Sequence, residues 1–383
     1  MLKIEKINLT EKYATGETYF DYDELKLHDI NLIIGPNASG KSQFIGRLKF
    51  LKLTHQKGQP TKDLKTNFKA SIVFNNQSNG SIGYELSAGP GELIVESIIN
   101  LNTKKSYLRY ENEDALLLNE ITGEEVKLLV NKRQSITKQI EDHKSKFPTI
   151  YEIGKFFESI LFLDADKFNP HSIDIGPNQL IPSDQMRNIS SVVLNWKVNS
   201  PKLFKILLDK YKTFFPYVEE FISKQVPIGN SLLDVLSIKE KGVKEEVLAQ
   251  NVSSGMLRIL CLLALPMTRQ IDKKLLGGQN FSPSMIVIDE IDNGLDYQIT
   301  GNIIDYLESE TEFSQILFTS HSPVVCNFVT PKKWHIFRRL ASRVKVTSPF
   351  DIKETKELIE KSKSSNWDIY KNHIANSQLY SVQ

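Results

Sequence analysis

One short segment of the sequence has the residue types that bind phosphate groups. Gly35, Gly40, Lys41 and Ser42 occupy the fixed positions of the pattern GxxxxGK[ST]. The pattern follows an apolar run typical of a buried strand and precedes a run typical of a helix, which is the context that this motif requires. There the glycines let backbone N–H groups surround phosphate oxygens, the lysine adds a positive charge, and the serine hydroxyl can hold a divalent cation. The segment therefore predicts a phosphate-binding turn.

A second segment supplies two adjacent carboxylates. The apolar run 284–288 is followed directly by Asp289 and Glu290. A strand that ends in this way fits a carboxylate that holds magnesium, at Asp289, and one that polarises an attacking water, at Glu290. The alternative is a strand that ends at a solvated acidic turn. The phosphate-binding turn in the same chain favours the catalytic interpretation.

Two further segments end or begin apolar elements with polar residues. The run 315–320 is followed by His321, at the carboxyl end of a predicted strand, where α/β sheets bind ligands. The run 252–258 contains Ser253 and Gly255 before the apolar stretch 259–265, which predicts a helix capped by serine. Taken alone, the histidine is compatible with a structural role, and the serine–glycine turn indicates only a helix N-cap.

Composition excludes several classes of protein. The 383 residues are 40% hydrophobic and 25% charged with a net charge of +2, which is typical of a globular protein and gives no overall basic excess for nucleic acid. Cys261 and Cys326 lie in apolar stretches without CxxC spacing, so buried thiols are expected. No apolar run approaches the ~20 residues that span a bilayer. We expect a cytoplasmic protein without a membrane segment.

The pattern along the chain predicts an α/β fold with two additions. Leu2 to Ile7 and Ile30 to Ile34 are predicted strands, and short β-rich runs between Phe68 and Glu125 alternate with turn residues, as in an antiparallel meander. Helical spacing in 126–160 and 202–224 indicates a helical subdomain. We predict a core of residues 1–130 and 245–350, a helical insert of residues 131–244 and a helical C-terminal tail of residues 351–383.

These segments together carry a family resemblance. In order, the sequence has the phosphate-binding motif (Walker A), a signature-like Ser253-x-Gly255-x-x-Arg258, the Asp289-Glu290 pair (Walker B), a D-loop-like Gly294-Leu295-Asp296 and a switch histidine. The chain resembles ABC-type ATPases of the SMC, RecF and OLD-like group, and the stand-alone AAA family ATPases of bacterial anti-phage defence systems. The resemblance implies a P-loop NTPase fold of the ABC type with a mixed central sheet.

The resemblance also implies site residues and cofactors. ATP and Mg²⁺ are the expected cofactors, with Glu290 and His321 as catalytic residues and Ser42, Asp289 and Asp166 as metal ligands. Asp166 is included because residues 161–166 resemble an acidic stretch of RecF-like proteins. The expected nucleotide-binding residues are Gly35, Pro36, Asn37, Ala38, Ser39, Gly40, Lys41, Ser42, Gln43, Ser253, Gly255, Arg258 and Asp296. In the family, ATP lies between two subunits, so a homodimer or a higher oligomer is expected.

Some features depart from the family pattern. The signature has Ser254 and Met256 where transporters have glycine and glutamine, and the glutamine of the usual Q-loop is not identifiable. The β-rich segment between the phosphate-binding motif and the signature is too short for the coiled-coil arms of SMC proteins. We expect no acidic nuclease module after His321, because only about sixty residues of the sequence follow it. The residue that stacks on adenine remains open among Tyr13, Tyr19 and Phe20.

Two functions fit these observations. The first is an ATPase whose nucleotide-driven dimerisation acts as a sensor or scaffold for a separate effector, a nuclease or toxin, in anti-phage defence. The second is a RecF- or SMC-like DNA-repair ATPase that binds DNA directly. The second depends on a local basic stretch, which is more often typical of a solvated edge strand. That stretch contains Lys332, Lys333, Arg338, Arg339, Arg343 and Lys345.

Overall fold

The computed structural model describes most of the chain as two compact units. The described residues are 2–13, 15–57, 66–76, 80–90, 95–111, 114–129, 134–165, 179–228, 231–351, 353, 356–357 and 369–370. The first unit comprises Met1–Ile160 with Thr319–Gln383, and the second comprises Leu161–Phe318. Within the described residues, no helix is both long and apolar enough to cross a membrane.

Strands and α-helices are numbered in chain order. The strands are β1 (Lys3–Tyr13), β2 (Thr18–Tyr22), β3 (Leu25–Lys26), β4 (Ile30–Ile34), β5 (Thr66–Asn76), β6 (Gly80–Ala88), β7 (Val95–Asn100), β8 (Ser106–Glu111), β9 (Asp114–Leu118), β10 (Glu125–Leu128), β11 (Leu161–Leu163), β12 (Val218–Ile228), β13 (Ser231–Glu240), β14 (Val247–Leu248), β15 (Met285–Ile288), β16 (Gln315–Ser320), β17 (Trp334–Leu340) and β18 (Arg343–Thr347). The helices are α1 (Lys41–Lys57), α2 (Ile136–Gln139), α3 (Pro148–Glu158), α4 (Ile189–Asn199), α5 (Pro201–Phe214), α6 (Ser254–Met267) and α7 (Tyr297–Ser309).

The first unit is built on a mixed sheet. Its strand order is β10-β9-β8-β7-β6-β5-β1-β2-β18-β17-β4, with β3 paired to β1. The β5-to-β10 part is an antiparallel meander, whereas β17 runs parallel to β4 and β18 runs parallel to β2. Because β4 is buried at all five residues, its backbone groups must be paired by flanking strands, and β17 supplies one of these partners.

A buried polar cluster joins α1 to the meander. Glu96 of β7 accepts hydrogen bonds from the Tyr84 hydroxyl (2.8 Å), from Ser135 Oγ (3.0 Å) and from the backbone N–H of Ile136 (2.7 Å). His55, near the end of α1, lies 3.0 Å from the Tyr84 hydroxyl. Burial raises the pKa of Glu96 and lowers the pKa of His55 to about 3. The cluster fixes the far end of the helix that begins at Lys41.

The second unit holds two sheets. In the first, β11, β15 and β16 run parallel, with Leu163 and Phe318 both opposite Ile288. In the second, β12, β13 and β14 form an antiparallel sheet. The helix α6 is buried along nearly its whole length, which agrees with its apolar composition.

Most of the predicted elements are confirmed, and two segments differ. The strand over Ile30–Ile34, the helix that begins at Lys41 and the antiparallel meander are present. The prediction of helix throughout 202–224 is wrong after Phe214, because β12 begins at Val218 and pairs with β13. Residues 126–128 likewise belong to β10 rather than to a helix. In both cases cross-strand pairing, which local spacing does not encode, decides the structure. Most of the predicted tail 351–383 lies outside the described residues.

His335 is a buried neutral base beside the strand that leads into the phosphate-binding motif. The Asn31 side chain bonds both the N–H and the carbonyl of His28, so its Oδ1 is an acceptor and His335 Nε2, 3.0 Å away, donates to it. Burial lowers the pKa of His335 from 6.5 to about 3, and His28 acts in the same direction. Between these two pH values the unfolded chain binds a proton that the folded chain does not bind. Stability therefore falls as the pH drops.

We predict that His335→Gln reduces the pH dependence of the unfolding free energy by the contribution of one proton, because it keeps a donor to Asn31 and removes the titration of His335, whereas the titration of the buried His55 remains. Between pH 7 and pH 5 that contribution is about 2 kcal/mol. Urea unfolding at pH 7, 6 and 5 measures it in the wild type and the variant. Parallel curves for the two proteins would show that His335 is not the titrating group.

Candidate functional site

The phosphate-binding turn is held close to a neighbouring strand. Gly35 follows the buried β4, and a Cβ atom at this position would overlap the carbonyl oxygen of Phe337 in β17. The turn continues through Pro36, Asn37 and Ala38, which are exposed. Because a backbone carbonyl cannot rotate away like a flexible side chain, only glycine fits the first position of the motif.

The turn ends at the N-terminus of α1. Gly40 has a φ of 103° and accepts a hydrogen bond from the buried Tyr22 hydroxyl (3.0 Å). Lys41 Nζ donates to the carbonyl oxygens of Gly35 (2.7 Å) and Pro36 (3.0 Å), so the ammonium group lies inside the loop. The side chains of Ser42 and Gln43 are exposed in the first helical turn. The positive end of the α1 dipole and the ammonium group thus converge on one small loop.

A cleft lies beside the outer part of the turn. It has a volume of about 560 Å³ and is lined by Pro36, Asn37, Ala38, Ser39, Arg338, Arg339 and Ala341. The guanidinium carbon of Arg339 lies 4.6 Å from the ring centroid of Phe20, and its Nε donates to the carbonyl of Ala341 (2.8 Å). Of the three aromatic residues considered for adenine, Phe20 is buried and covered by Arg339, whereas Tyr13 is exposed at the end of β1. No sequence motif predicted this cleft.

The carboxylate pair follows the buried strand β15. The backbone N–H of Asp289 donates to the carbonyl of Leu163 (2.8 Å), which extends the parallel pairing by one residue. The Asp289 side chain is 5% exposed, and Glu290 is half-buried. Glu290 has a φ of 49°, in the left-handed region that non-glycine residues seldom occupy. The strand therefore ends in a sharp, strained turn at the predicted catalytic carboxylate.

Arg258 of the signature-like segment is buried against this turn. Its Nη2 donates to the carbonyl oxygens of Asp289 (2.8 Å) and Glu290 (2.6 Å), and the residue is 2% exposed. Burial lowers the pKa of Arg258, while Cys261, Asp292, Glu290 and Asp289 act in the opposite direction. The structure thus places this predicted nucleotide-binding residue on the backbone of its own protomer. A contact between Arg258 and nucleotide stays a prediction.

The remaining signature-like residues surround the N-terminus of α6. Ser253 caps the helix, with its Oγ accepting from the N–H of Met256 (3.2 Å), as the sequence predicts. A Cβ atom on Gly255 would lie 2.6 Å from the carbonyl oxygen of Gly294. Asp296 caps α7 by accepting from the N–H of Ile299 (2.9 Å) and is exposed. The first turn of α6 and the D-loop-like turn are therefore in backbone contact.

The last predicted residues are His321 and Asp166. His321 is exposed and follows β16 directly. Phe318 is opposite Ile288 in the parallel pair, so β15 and β16 end at the same edge of their sheet. Asp166 lies outside the described residues, so its predicted role as a metal ligand stays a prediction.

The residues that could bind magnesium have suitable donor chemistry. Ser42 offers a hydroxyl in the first turn of α1, and Asp289 offers a carboxylate at the end of a buried strand. Oxygen donors of this kind fit Mg²⁺, which usually takes one or two protein ligands together with nucleotide phosphates and water. Among the described residues, no group of three or more His, Cys, Asp and Glu side chains could hold a metal by itself.

Comparisons with known proteins identify the family and the fold. A family model described as "AAA domain, putative AbiEii toxin, Type IV TA system" matches residues 30–327. That range extends from β4 to the segment after His321. No curated protein matches the chain.

Solved SMC head structures are similar to the chain. One is an SMC head bound to the C-winged helix domain of ScpA, with a TM-score of 0.52 and 15% identity over 90% of this chain and 97% of that one. Another is an SMC head domain with an extended coiled coil, bound to the C-terminal domain of ScpA and derived from Pyrococcus furiosus. It has a TM-score of 0.52 and 13% identity over 95% of this chain and 100% of that one. At these identities the likeness shows the fold, a mixed α/β P-loop NTPase fold.

We predict that Gly35→Ala lowers both stability and nucleotide affinity, because the added Cβ forces the turn away from β17. Overpacking of this kind costs about 1–3 kcal/mol. Thermal unfolding and binding of a fluorescent ATP analogue measure the two effects. Gly46→Ala is the matched control, since a Cβ at Gly46 in α1 meets nothing within 4 Å and alanine favours a helix. Equal behaviour of the two variants would contradict the importance of the close approach.

Proposed function

We propose that this chain, which belongs to the family described as "AAA domain, putative AbiEii toxin, Type IV TA system", binds and hydrolyses ATP as an SMC/ABC-type ATPase. The observation that carries the proposal is the presence of two specialised strand ends in one chain. One buried strand leads into the phosphate-binding turn and α1, and another ends in Asp289 and a strained Glu290. Each motif alone is compatible with other chemistry, but the two together fit nucleotide hydrolysis.

The roles follow from the positions. Lys41 and the N–H groups at the start of α1 bind the phosphates, and Ser42 and Asp289 are the proposed magnesium ligands. When bound, the ion neutralises charge on the phosphate oxygens. Glu290 orients and deprotonates the attacking water, and His321 senses the terminal phosphate. The left-handed backbone at Glu290 directs its side chain away from the regular alternation of the strand.

We further propose that ATP is bound between two copies of the chain. Ser253 and Gly255 are accessible at the N-terminus of α6, and a helix N-terminus attracts an anion. In a dimer, this N-terminus would meet the terminal phosphate held by Lys41 of the other copy. The exposed Asp296 would then lie near the contact between the two subunits.

The proposed role of the nucleotide cycle is to control a separate effector, a nuclease or toxin, in bacterial anti-phage defence. The family description, which names a toxin and a toxin–antitoxin system, supports this context. Two SMC heads of similar fold are bound to domains of ScpA, which supports a partner protein as the recipient of the signal.

The alternative is a RecF- or SMC-like ATPase that binds DNA. Its support is the basic stretch of the β17–β18 hairpin, and the geometry weakens that support. Arg343 is paired with Asp23 at 2.8 Å, and Arg339 covers Phe20 beside the phosphate-binding turn. Charges engaged in this way contribute less to a surface that binds DNA phosphates.

We predict that Glu290→Gln retains ATP binding, loses at least about tenfold in turnover and accumulates as a dimer with Mg-ATP, because only the base is removed. Lys41→Ala should instead lose nucleotide affinity. Phosphate-release assays and mass measurement in solution with and without Mg-ATP test both variants. Glu312→Gln, which changes an exposed carboxylate of the same unit, is the control and should match the wild type. Wild-type turnover in Glu290→Gln would refute the catalytic assignment.

The effector proposal has its own test. We predict that the Glu290→Gln protein, expressed with its native gene neighbourhood, captures a nuclease or toxin and that Lys41→Ala captures less of it, because capture follows the ATP-bound dimer. Capture of DNA alone, with ATP-dependent and steeply salt-dependent binding to duplex DNA, would support the alternative instead. Equal capture by both variants would contradict control by nucleotide.

A further inference from the structure

The guanidinium group of Arg258 bridges two consecutive peptide groups. Nη2 carries two hydrogens, and the carbonyl oxygens of Asp289 and Glu290 lie 2.8 and 2.6 Å from it. In a regular strand, successive carbonyls point in opposite directions, so two neighbours cannot bond the same donor. The left-handed φ of Glu290 breaks that alternation and makes the double contact possible.

The contact offsets a backbone cost at the proposed catalytic residue. A non-glycine residue in the left-handed region costs about 1–2 kcal/mol and persists only where its surroundings hold it. Hydrogen bonds from a charged donor are the stronger kind, and here they are shielded from water because Arg258 is buried. Arg258 therefore stabilises the conformation in which Glu290 leaves the strand.

The same helix is in contact with the next turn of the chain. Gly255, one turn before Arg258, approaches the carbonyl of Gly294 so closely that no Cβ fits between them. The carbonyl of Glu290 also accepts from the N–H of Asn293 (3.0 Å). The segment from Asp289 to Gly294 is thus held by α6 at both ends, and displacement of α6 must displace Glu290.

We propose that Arg258 is a positioning residue, in place of the nucleotide contact that the family resemblance implies, and that it transmits the state of the α6 N-terminus to Glu290. This inference rests on the proposed function, in which Ser253 and Gly255 bind the terminal phosphate of ATP held by the partner copy. Along the axis of the same helix, Arg258 lies about 7.5 Å beyond Ser253 and about 4.5 Å beyond Gly255. A nucleotide bound at the N-terminus of α6 then controls the position of Glu290 in the protomer to which that α6 belongs. The two sites of the dimer hydrolyse ATP in concert.

Loss of the Arg258 donors should affect ATP hydrolysis much more than ATP binding. Arg258→Met keeps an unbranched apolar side chain and removes the donors, so nucleotide affinity should stay within about threefold of the wild type while turnover falls at least about tenfold. The Hill coefficient for ATP should fall to about one, because the two ATP sites of the dimer are no longer coupled. Arg258→Lys, which keeps the charge and can reach at least one carbonyl, should give intermediate turnover.

The decisive experiment is a double-mutant cycle with Glu290→Gln in the full chain. Binding of a fluorescent ATP analogue, turnover against ATP concentration and thermal stability are measured for the wild type, each single variant and the double variant. Residues that act as a unit have non-additive effects, so Arg258→Met should lower the residual turnover of Glu290→Gln by less than about twofold.

Several outcomes would overturn the inference. If the turnover losses of the two single variants multiply in the double variant, this would show that Arg258 only supports the fold. Equal losses of nucleotide affinity and turnover in Arg258→Met would show the same. If Arg258→Met does not fold, Arg258→Lys decides, and wild-type turnover with an unchanged Hill coefficient refutes the proposal. A wild-type protein that binds no ATP would instead refute the proposed function, and the inference with it.

Discussion

The parallel pairing of β4 with β17 is the constraint on which the first unit depends. Every residue of β4 is buried, so its backbone groups cannot be left to water, and a segment about 300 residues away in sequence supplies part of the pairing. Asn31 and His335, 304 positions apart, are hydrogen-bonded across the same two strands. The pairing brings the Phe337 carbonyl against Gly35 and so fixes where the phosphate-binding turn starts.

In the second unit, the corresponding constraint lies at the end of β15. The buried strand β15 ends in two carboxylates, and the chain turns at Glu290 with a left-handed backbone conformation that is costly for a non-glycine residue. The compensating donor comes from α6, the helix whose N-terminus carries the signature-like residues. A motif that the sequence predicts to contact nucleotide thus also supports, in the fold, the turn at the proposed catalytic residue.

Around the phosphate-binding turn, tertiary contacts distinguish between aromatic residues that the sequence presents as equal candidates for contact with adenine. By sequence, Tyr13, Tyr19 and Phe20 are equivalent candidates for adenine. In the fold, Phe20 lies beneath Arg339, with Tyr22 next to it bonded to the carbonyl of Gly40. The β17–β18 hairpin, which by sequence suggests a basic DNA-binding stretch, instead contributes two arginines to a cleft beside the turn.

Local sequence patterns were sufficient to predict the motifs, the buried strand before each of them, the antiparallel meander and the serine cap of α6. These features depend on local chemistry, namely apolar periodicity, glycine positions and polar residues at strand ends. The three-dimensional structure was needed to show that residues 218–224 form a strand rather than helix, that Arg258 bonds the carbonyls of Asp289 and Glu290, and that Arg339 covers Phe20. Each of these depends on partners distant in sequence. The local sequence shows which residues are apolar or charged, but not which distant groups pack against them or form hydrogen bonds with them.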